Sequence, residues 1–259
     1  MTTLNGNELE GRDTLVVGGT GNVGFFLVDG FLRAGARVLV TSRSTSKIER
    51  LKSRLGADKA ARVVEVLGDI GTAEGAGLLA KQVADLTDGL TAVAAAPSSW
   101  HQNQSMIGAG FADFKHVIES SLYPHYLAAE AFLPHLEADG AYLTINGPAG
   151  FVHAPWPGTG SISVAAAAQG TLVQAFARET EGHPRVNDVV MYAYMGPNGT
   201  RTGSPLTGEQ VGDFVAALAS PLGQKIHGRT IHLRSTQQVE HALVGAFPTD
   251  TPDREEGDS

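Results

Sequence analysis

Gly18, Gly21 and Gly24 stand three residues apart, after the β-branched run TLVVG (14–18) and before an apolar-periodic stretch over 22–34. Glycines at that spacing allow a tight turn from a strand into a helix. The N–H groups of the turn then gather at the positive end of the helix, where a pyrophosphate binds. Gly18, Thr20, Gly21, Asn22, Val23 and Gly24 are the candidate contacts to such a group. After the next apolar run (36–41) comes Ser42-Arg43-Ser44-Thr45-Ser46-Lys47, with no carboxylate before Glu49. A carboxylate at this place would accept from a free ribose 2′-OH. A guanidinium among hydroxyls suits a 2′-phosphate, so Ser42, Arg43 and Ser44 favour NADP(H) over NAD(H). Gly68-Asp69-Ile70 follows the third run. Asp69 has two roles open to it there, acceptor from an adenine amino group or cap of the following helix. Asp69, Ile70 and, after the fourth run, Ala95 and Ala96 complete the candidate nucleotide contacts.

A second group of residues has the chemistry of a pocket. Pro97-Ser98-Ser99-Trp100-His101, Phe151-Val152-His153-Ala154-Pro155-Trp156 and Tyr192-Ala193-Tyr194-Met195 follow the fourth, fifth and sixth apolar runs, and they hold both tryptophans of the chain. Aromatic walls with a few polar groups suit a small-molecule substrate. Trp100, His101, Trp156 and Tyr192 are the expected lining. His153 and Tyr194 are the expected proton donors, since an imidazole titrates near neutrality and a phenol has a proton to give. Ser161 and Ser163 have no histidine paired with them in sequence, and Ser161 is read as a helix N-cap. His116, His125 and His135 lack zinc spacing and are read as fold or surface, so no metal site is expected.

These residues must be positioned by the elements between them. Strands are predicted at 14–18, 36–41, 61–67, 90–96, 141–146, 186–192 and 230–233, and helices at 22–34, 45–55, 73–87, 117–137, 161–181 and 207–219. Strand–helix alternation implies an α/β fold, a doubly wound parallel sheet of about seven strands in a single domain. Ligands bind such sheets beyond the carboxyl ends of the strands. The expected division is a flexible N-terminus (1–12), the domain itself (13–235), a C-terminal extension (236–247) and an acidic disordered tail (248–259). That tail holds five acids and one base, half of the net charge of −8, so the body is only mildly acidic. No basic stripe suggests nucleic acid and no apolar run is long enough to span a bilayer. With no cysteine and no signal-like N-terminus, a cytoplasmic protein is expected.

Taken together, the glycine turn, Arg43, Asp69, AEAFLPHLEADGAYLTIN, LVQAFARE, RVNDVV and GRTIHL resemble the short-chain dehydrogenase/reductase family over residues 13–235. The resemblance implies a Rossmann fold, a nicotinamide cofactor and a homodimer or homotetramer built on the long fifth and sixth helices. It also implies a Tyr-x-x-x-Lys pair at the start of the sixth helix, where positions i and i+4 share a face and the cation lowers the phenol pKa. Aligned on Leu172–Glu179, the tyrosine position falls on Ile162 and the lysine position on Ala166. The family's serine falls on Gly147 and its asparagine on Ser121. No tyrosine lies between Tyr142 and Tyr192 and no lysine between Lys115 and Lys225, so no register restores the pair.

Loss of a general acid typically costs about 10²–10⁴ in rate. Three readings follow. One is an atypical oxidoreductase passing hydride to a small carbonyl, enone or iminium, with His153 or Tyr194 as donor and Asn146 and Ser121 as hydrogen-bond partners. The others are a non-redox catalyst such as a cyclase or isomerase, and a silent NADP(H)-binding subunit or sensor.

Overall fold

Alternating valine, leucine and alanine side chains point to opposite faces of an extended chain, so each central run can be buried on both sides. In the computed structural model, which describes residues 4–98 and 100–247, they are. The strands are β1 (Asp13–Val17), β2 (Arg37–Ser42), β3 (Val63–Leu67), β4 (Leu90–Ala95), β5 (Leu136–Asn146), β6 (Arg185–Met191), β7 (Met195–Gly196), β8 (Gly199–Thr200) and β9 (Thr230–Leu233). Seven form one parallel sheet in the order β3-β2-β1-β4-β5-β6-β9, while β7 and β8 pair only with each other. The helices are α1 (Asn22–Arg33), α2 (Thr45–Leu55), α3 (Ala57–Ala60), α4 (Ala73–Leu86), α5 (Met106–Ser121), α6 (Tyr123–Phe132), α7 (Gly160–Thr180), α8 (Gly208–Ala219) and α9 (Thr236–Ala242).

Two cores result. Val16, Val40, Ala94, Leu143 and Val189 face one way, onto α1, α8 and α9. Leu15, Leu39, Val93, Tyr142 and Val186 face the other, onto α4, α6 and α7. Strand order reverses between β1 and β4, and the crevice outside their carboxyl ends is where such sheets take ligands. This is a doubly wound, single-domain Rossmann fold. No helix among the described residues is long and apolar enough to cross a membrane.

The structure corrects three sequence expectations. The helix predicted at 117–137 is two helices, α5 and α6, joined at Leu122, and the chain is already in β5 by Leu136. Pro124 stands in the first turn of α6, where its missing N–H costs no helical hydrogen bond, and so it breaks the continuity between the two helices. The first turns of α5 escaped notice because Ile107 and Phe111 are exposed and give no core-facing period. The segment 4–12, expected to be flexible, is docked. Leu9 is fully buried, its N–H donates to the Ala34 carbonyl at 2.8 Å, and Arg37 N–H donates to the Arg12 carbonyl at 2.9 Å. The extension 236–247 joins the core through Val239, Ala242, Leu243 and Phe247. The proposed tail 248–259 lies outside the described residues.

Candidate functional site

The turn between β1 and α1 is built so that only glycine fits. Gly18 has φ +79°, and a Cβ on it would lie 2.5 Å from the Ala96 carbonyl oxygen. A Cβ on Gly24 would lie 2.1 Å from the Gly18 carbonyl oxygen, so the helix can press against the turn only without a side chain. Gly18 N–H donates to Thr41 Oγ1 (3.2 Å), Gly21 N–H to the Gly18 carbonyl (3.0 Å), and Ala96 N–H to the Val17 carbonyl (3.0 Å). These bonds tie β1, β2 and β4 together under the turn, with Ala95 buried at the end of β4. Gly21 caps α1 without a side-chain bond and no acid stands in the first turn. The opening N–H groups, at exposed Asn22 and half-buried Val23, therefore point out uncapped. Thr20 and Gly24 flank them. The arrangement fits a diphosphate, which would supply the missing acceptors.

The second strand ends beside it. Thr20 Oγ1 and Ser42 Oγ are 3.5 Å apart, and Ser42 Oγ accepts from Ser44 N–H at 3.1 Å. Ser44 is the N-cap of α2 without a side-chain cap bond, again with no acid in the first turn. Arg43 is exposed and has no ion pair among the described residues. An exposed arginine thus directly precedes a bare helix N-terminus. Asp69 Oδ1 accepts from Gly71 N–H (3.0 Å), while Thr72, not Asp69, caps α4. Ile70 packs against the β3–α4 core.

The opposite wall is apolar. Ile162 and Ala166 are buried on α7, and Ile162 packs with Ala165, Val117, Ile118 and Leu122. Ser121 is buried one helical turn beyond Val117 on α5. Gly147 leads into a short turn whose Gly150 meets α7 so closely that a Cβ would lie 2.3 Å from Ala167 N. Thr159, not Ser161, is the N-cap of α7, and Ser161 Oγ is buried without a partner among the described residues.

Asn146 does not face the crevice. Its Nδ2 donates to the Ala166 carbonyl and to Asp188 Oδ2, both at 3.0 Å, and its Oδ1 accepts from Gly147 N–H at 2.9 Å. Every amide site faces the protein because Asp188, fully buried on β6, needs donors. Thr144 Oγ1 (2.6 Å) and Gln169 Nε2 (3.3 Å) donate to its other oxygen. Burial pushes the Asp188 carboxyl up to about 6, and the three donors hold it from rising further. Sequence reading missed this network, since β6 reads as an ordinary buried strand in which one aspartate carries no spacing signal.

The aromatic loops divide. Tyr192 turns aside, its hydroxyl 3.1 Å from His232 Nδ1 and its ring 4.9 Å from the Arg234 guanidinium. Phe151 packs edge-on against the same His232. Tyr192 is therefore tied to the β6–β9 edge of the sheet. Tyr194 is half exposed, and His153 is exposed, with no side-chain hydrogen bond for either among the described residues. Trp100 and Trp156 are also exposed. The loops that carry them are laced together: Gln102 Nε2 donates to the Pro157 carbonyl (3.1 Å) and Asn103 N–H to the Gly158 carbonyl (3.0 Å). His101 Nε2 lies 3.1 Å from Asp113 Oδ1. A recess of about 470 Å³ lies at the amino-terminal edge of the sheet, among Arg12, Asp13, Arg37 and Glu137. It is remote from the glycine turn, and these four charges pair as Arg12–Glu137 and Arg37–Asp13.

With this geometry, similarity to known proteins is informative. The structure resembles a dehydrogenase/reductase from Sinorhizobium meliloti 1021 (TM-score 0.76, 23% identity, 87% of this chain and 94% of that chain). It also resembles a Serratia marcescens short-chain dehydrogenase/reductase (TM-score 0.78, 18% identity, 88% and 98%). A third likeness is to a Pseudomonas aeruginosa RhlG/NADP active-site complex (TM-score 0.75, 21% identity, 86% and 95%). At these identities the likenesses establish the fold. No curated protein matches the sequence. A family model described as short chain dehydrogenase matches residues 12–203, and the protein belongs to that family.

Proposed function

We propose that the protein binds NADP(H) and acts as an atypical oxidoreductase on a small carbonyl, enone or iminium substrate, without a tyrosine–lysine pair. The observation that carries the cofactor reading is unpaired Arg43 beside the uncapped N-terminus of α2, directly after β2. Three donors of one sign meet there, Arg43, Ser44 and the first N–H groups of α2, and no acid opposes them. The neighbouring Pseudomonas aeruginosa structure is an NADP complex, which supports the same reading. Gly18 to Gly24 would take the diphosphate, and Asp69, Ile70, Ala95 and Ala96 the adenosine side.

A bound nicotinamide supplies a hydride. The chain itself excludes water at the reacting end, through Ile162, Ala165 and Val117, and orders the floor through Asn146 and Gly147. An apolar wall without a cation at Ala166 favours substrates whose electron sink needs little help, an iminium or a conjugated enone. The second reading, a silent NADP(H)-binding subunit, is favoured by the same apolar wall. A homodimer or homotetramer is inferred through α5, α6 and α7, where Phe111, Tyr126 and Val164 are exposed.

The test is thermal unfolding with each nucleotide. NADPH should raise Tm, NADH should do so less, and Arg43→Ala should abolish the difference. A charged hydrogen bond contributes about 1.5–3 kcal/mol, so the variant should weaken NADPH binding about 10–100-fold. Equal response to the two nucleotides would remove the 2′-phosphate assignment. Oxidation of NADPH by an added aldehyde or enone then separates the enzyme from the silent subunit.

A further inference from the structure

The lost tyrosine leaves the reaction without an acid, and the loop after β4 holds a group that can replace it. We propose that His101 is the acid–base catalyst of this crevice and that Asp113, held by Asn103, is its positioning residue. The proposal rests on the oxidoreductase reading above and supplies the proton source that reading lacks.

The placement begins with the loop. Pro97 abuts the nucleotide turn, its Cα 3.1 Å from where a Gly18 Cβ would stand. His101 follows four residues later, between that turn and the lacing of the two crevice loops at Gln102–Pro157 and Asn103–Gly158. Gly158 makes the crossing possible, since a Cβ on it would fall 1.8 Å from the Asn103 carbonyl oxygen and its φ is +79°. Asp113, Val117 and Ser121 occupy successive turns of one α5 face. Val117 is the residue that packs on Ile162, where the family's tyrosine would stand. Asp113 therefore lies one turn, about 6 Å along the axis, from Val117.

The chemistry follows from the partners. Asn103 Nδ2 donates to Asp113 Oδ2 (2.8 Å), which fixes the carboxylate and aims Oδ1 at the ring. His101 Nε2 is buried and has no other partner among the described residues, lying 3.1 Å from Oδ1 but off the line of a well-aligned hydrogen bond. A modest ring rotation aligns it, as acid–base pairs do when substrate arrives. The carboxylate then keeps the Nε2–H tautomer and leaves Nδ1, which bonds no described residue, for proton transfer. When the substrate carbon accepts a hydride, its π pair moves to oxygen. That oxygen takes the Nδ1 proton of the ring in its doubly protonated, imidazolium form: the Nδ1–H bond breaks, an O–H bond forms, the ring is left neutral as the Nε2–H tautomer, and solvent returns a proton to Nδ1 before the next turnover. His153 and Tyr194 have no such partner and stand in the solvent.

The experiment uses the whole chain with NADPH and 2-cyclohexenone or benzaldehyde as probe. His101→Gln should keep NADPH-induced thermal protection and lose about 10²–10⁴-fold in kcat. His101→Ala should regain turnover with added imidazole, and Asp113→Asn should lower kcat more than it changes KM. Long-range ¹⁵N NMR on the wild type should find the neutral His101 ring as the Nε2–H tautomer. Unchanged turnover in His101→Gln, no imidazole rescue, or the Nδ1–H tautomer overturns the assignment and leaves the cofactor reading standing. NADPH binding with neither probe reduced overturns it as well. Absence of NADPH protection in the wild type instead refutes the oxidoreductase reading, and this proposal with it.

Discussion

Replacing Asp188 by asparagine separates the electrostatic cost of the network under the crevice from its hydrogen bonds. In the folded protein the carboxyl titrates near 6, against an ordinary value of 3.8. Because the folded value is raised, the folded state holds the proton more tightly. Stability is therefore greatest below the unfolded value and is lost as pH rises through about 6. The gap of about two units corresponds to about 3 kcal/mol once both states are ionised, and about 1 kcal/mol of it is already present near pH 4.5. Asparagine removes that cost. Its oxygen can keep the Thr144 and Gln169 donors, but its amino group then faces Asn146 Nδ2. Flipping Asn146 would sacrifice both the Gly147 and the Ala166 bonds, so the amide stays unflipped and one hydrogen bond, about 1 kcal/mol, is lost. Urea unfolding should accordingly show Asp188→Asn near parity with the wild type around pH 4.5. Around pH 8 it should be about 2 kcal/mol more stable. Groups common to both proteins cancel in the difference. A gap between the two proteins that stays constant from about pH 4.5 to 8 would show that Asp188 does not titrate as a buried acid.

Three other perturbations test separate parts. Gly24→Ala places a Cβ 2.1 Å from the Gly18 carbonyl oxygen, so the helix must move off the turn. The expected result is a lower Tm together with loss of NADPH protection, read by thermal unfolding. His125 is fully buried with both ring nitrogens unpartnered among the described residues, and burial pushes it down to about 3. Its folded value is lowered, so stability is lost as pH falls below the ordinary value of 6.5. His125→Leu should be about 1–3 kcal/mol more stable at neutral pH, and increasingly so on acidification, by urea unfolding. Tyr192→Phe removes the bonds to His232 and Arg234 at the β6–β9 edge. It should cost about 1 kcal/mol of stability while leaving NADPH binding unchanged in a fluorescence titration.

The sequence by itself determined the parts of this protein that rest on local rules. A strand–turn–helix with glycines at 18, 21 and 24 can be read from the chain because steric exclusion acts between near neighbours. The seven strands show because β-branched runs alternate faces. That no tyrosine lies between Tyr142 and Tyr192, and no lysine between Lys115 and Lys225, is likewise read directly from the chain. Tertiary structure alone decided where polar groups point. Asn146 is claimed by Asp188, 42 residues away, because a buried carboxylate must have donors, and no spacing records that demand. Tyr192 is paired with His232, 40 residues away, for the same kind of reason. His101 found Asp113 because a left-handed glycine at 110 and the lacing at Gly158 bring the loop back over α5. Backbone form follows from sterics that a short stretch contains within itself. The pairing of side chains follows from desolvation, which only the packed chain imposes.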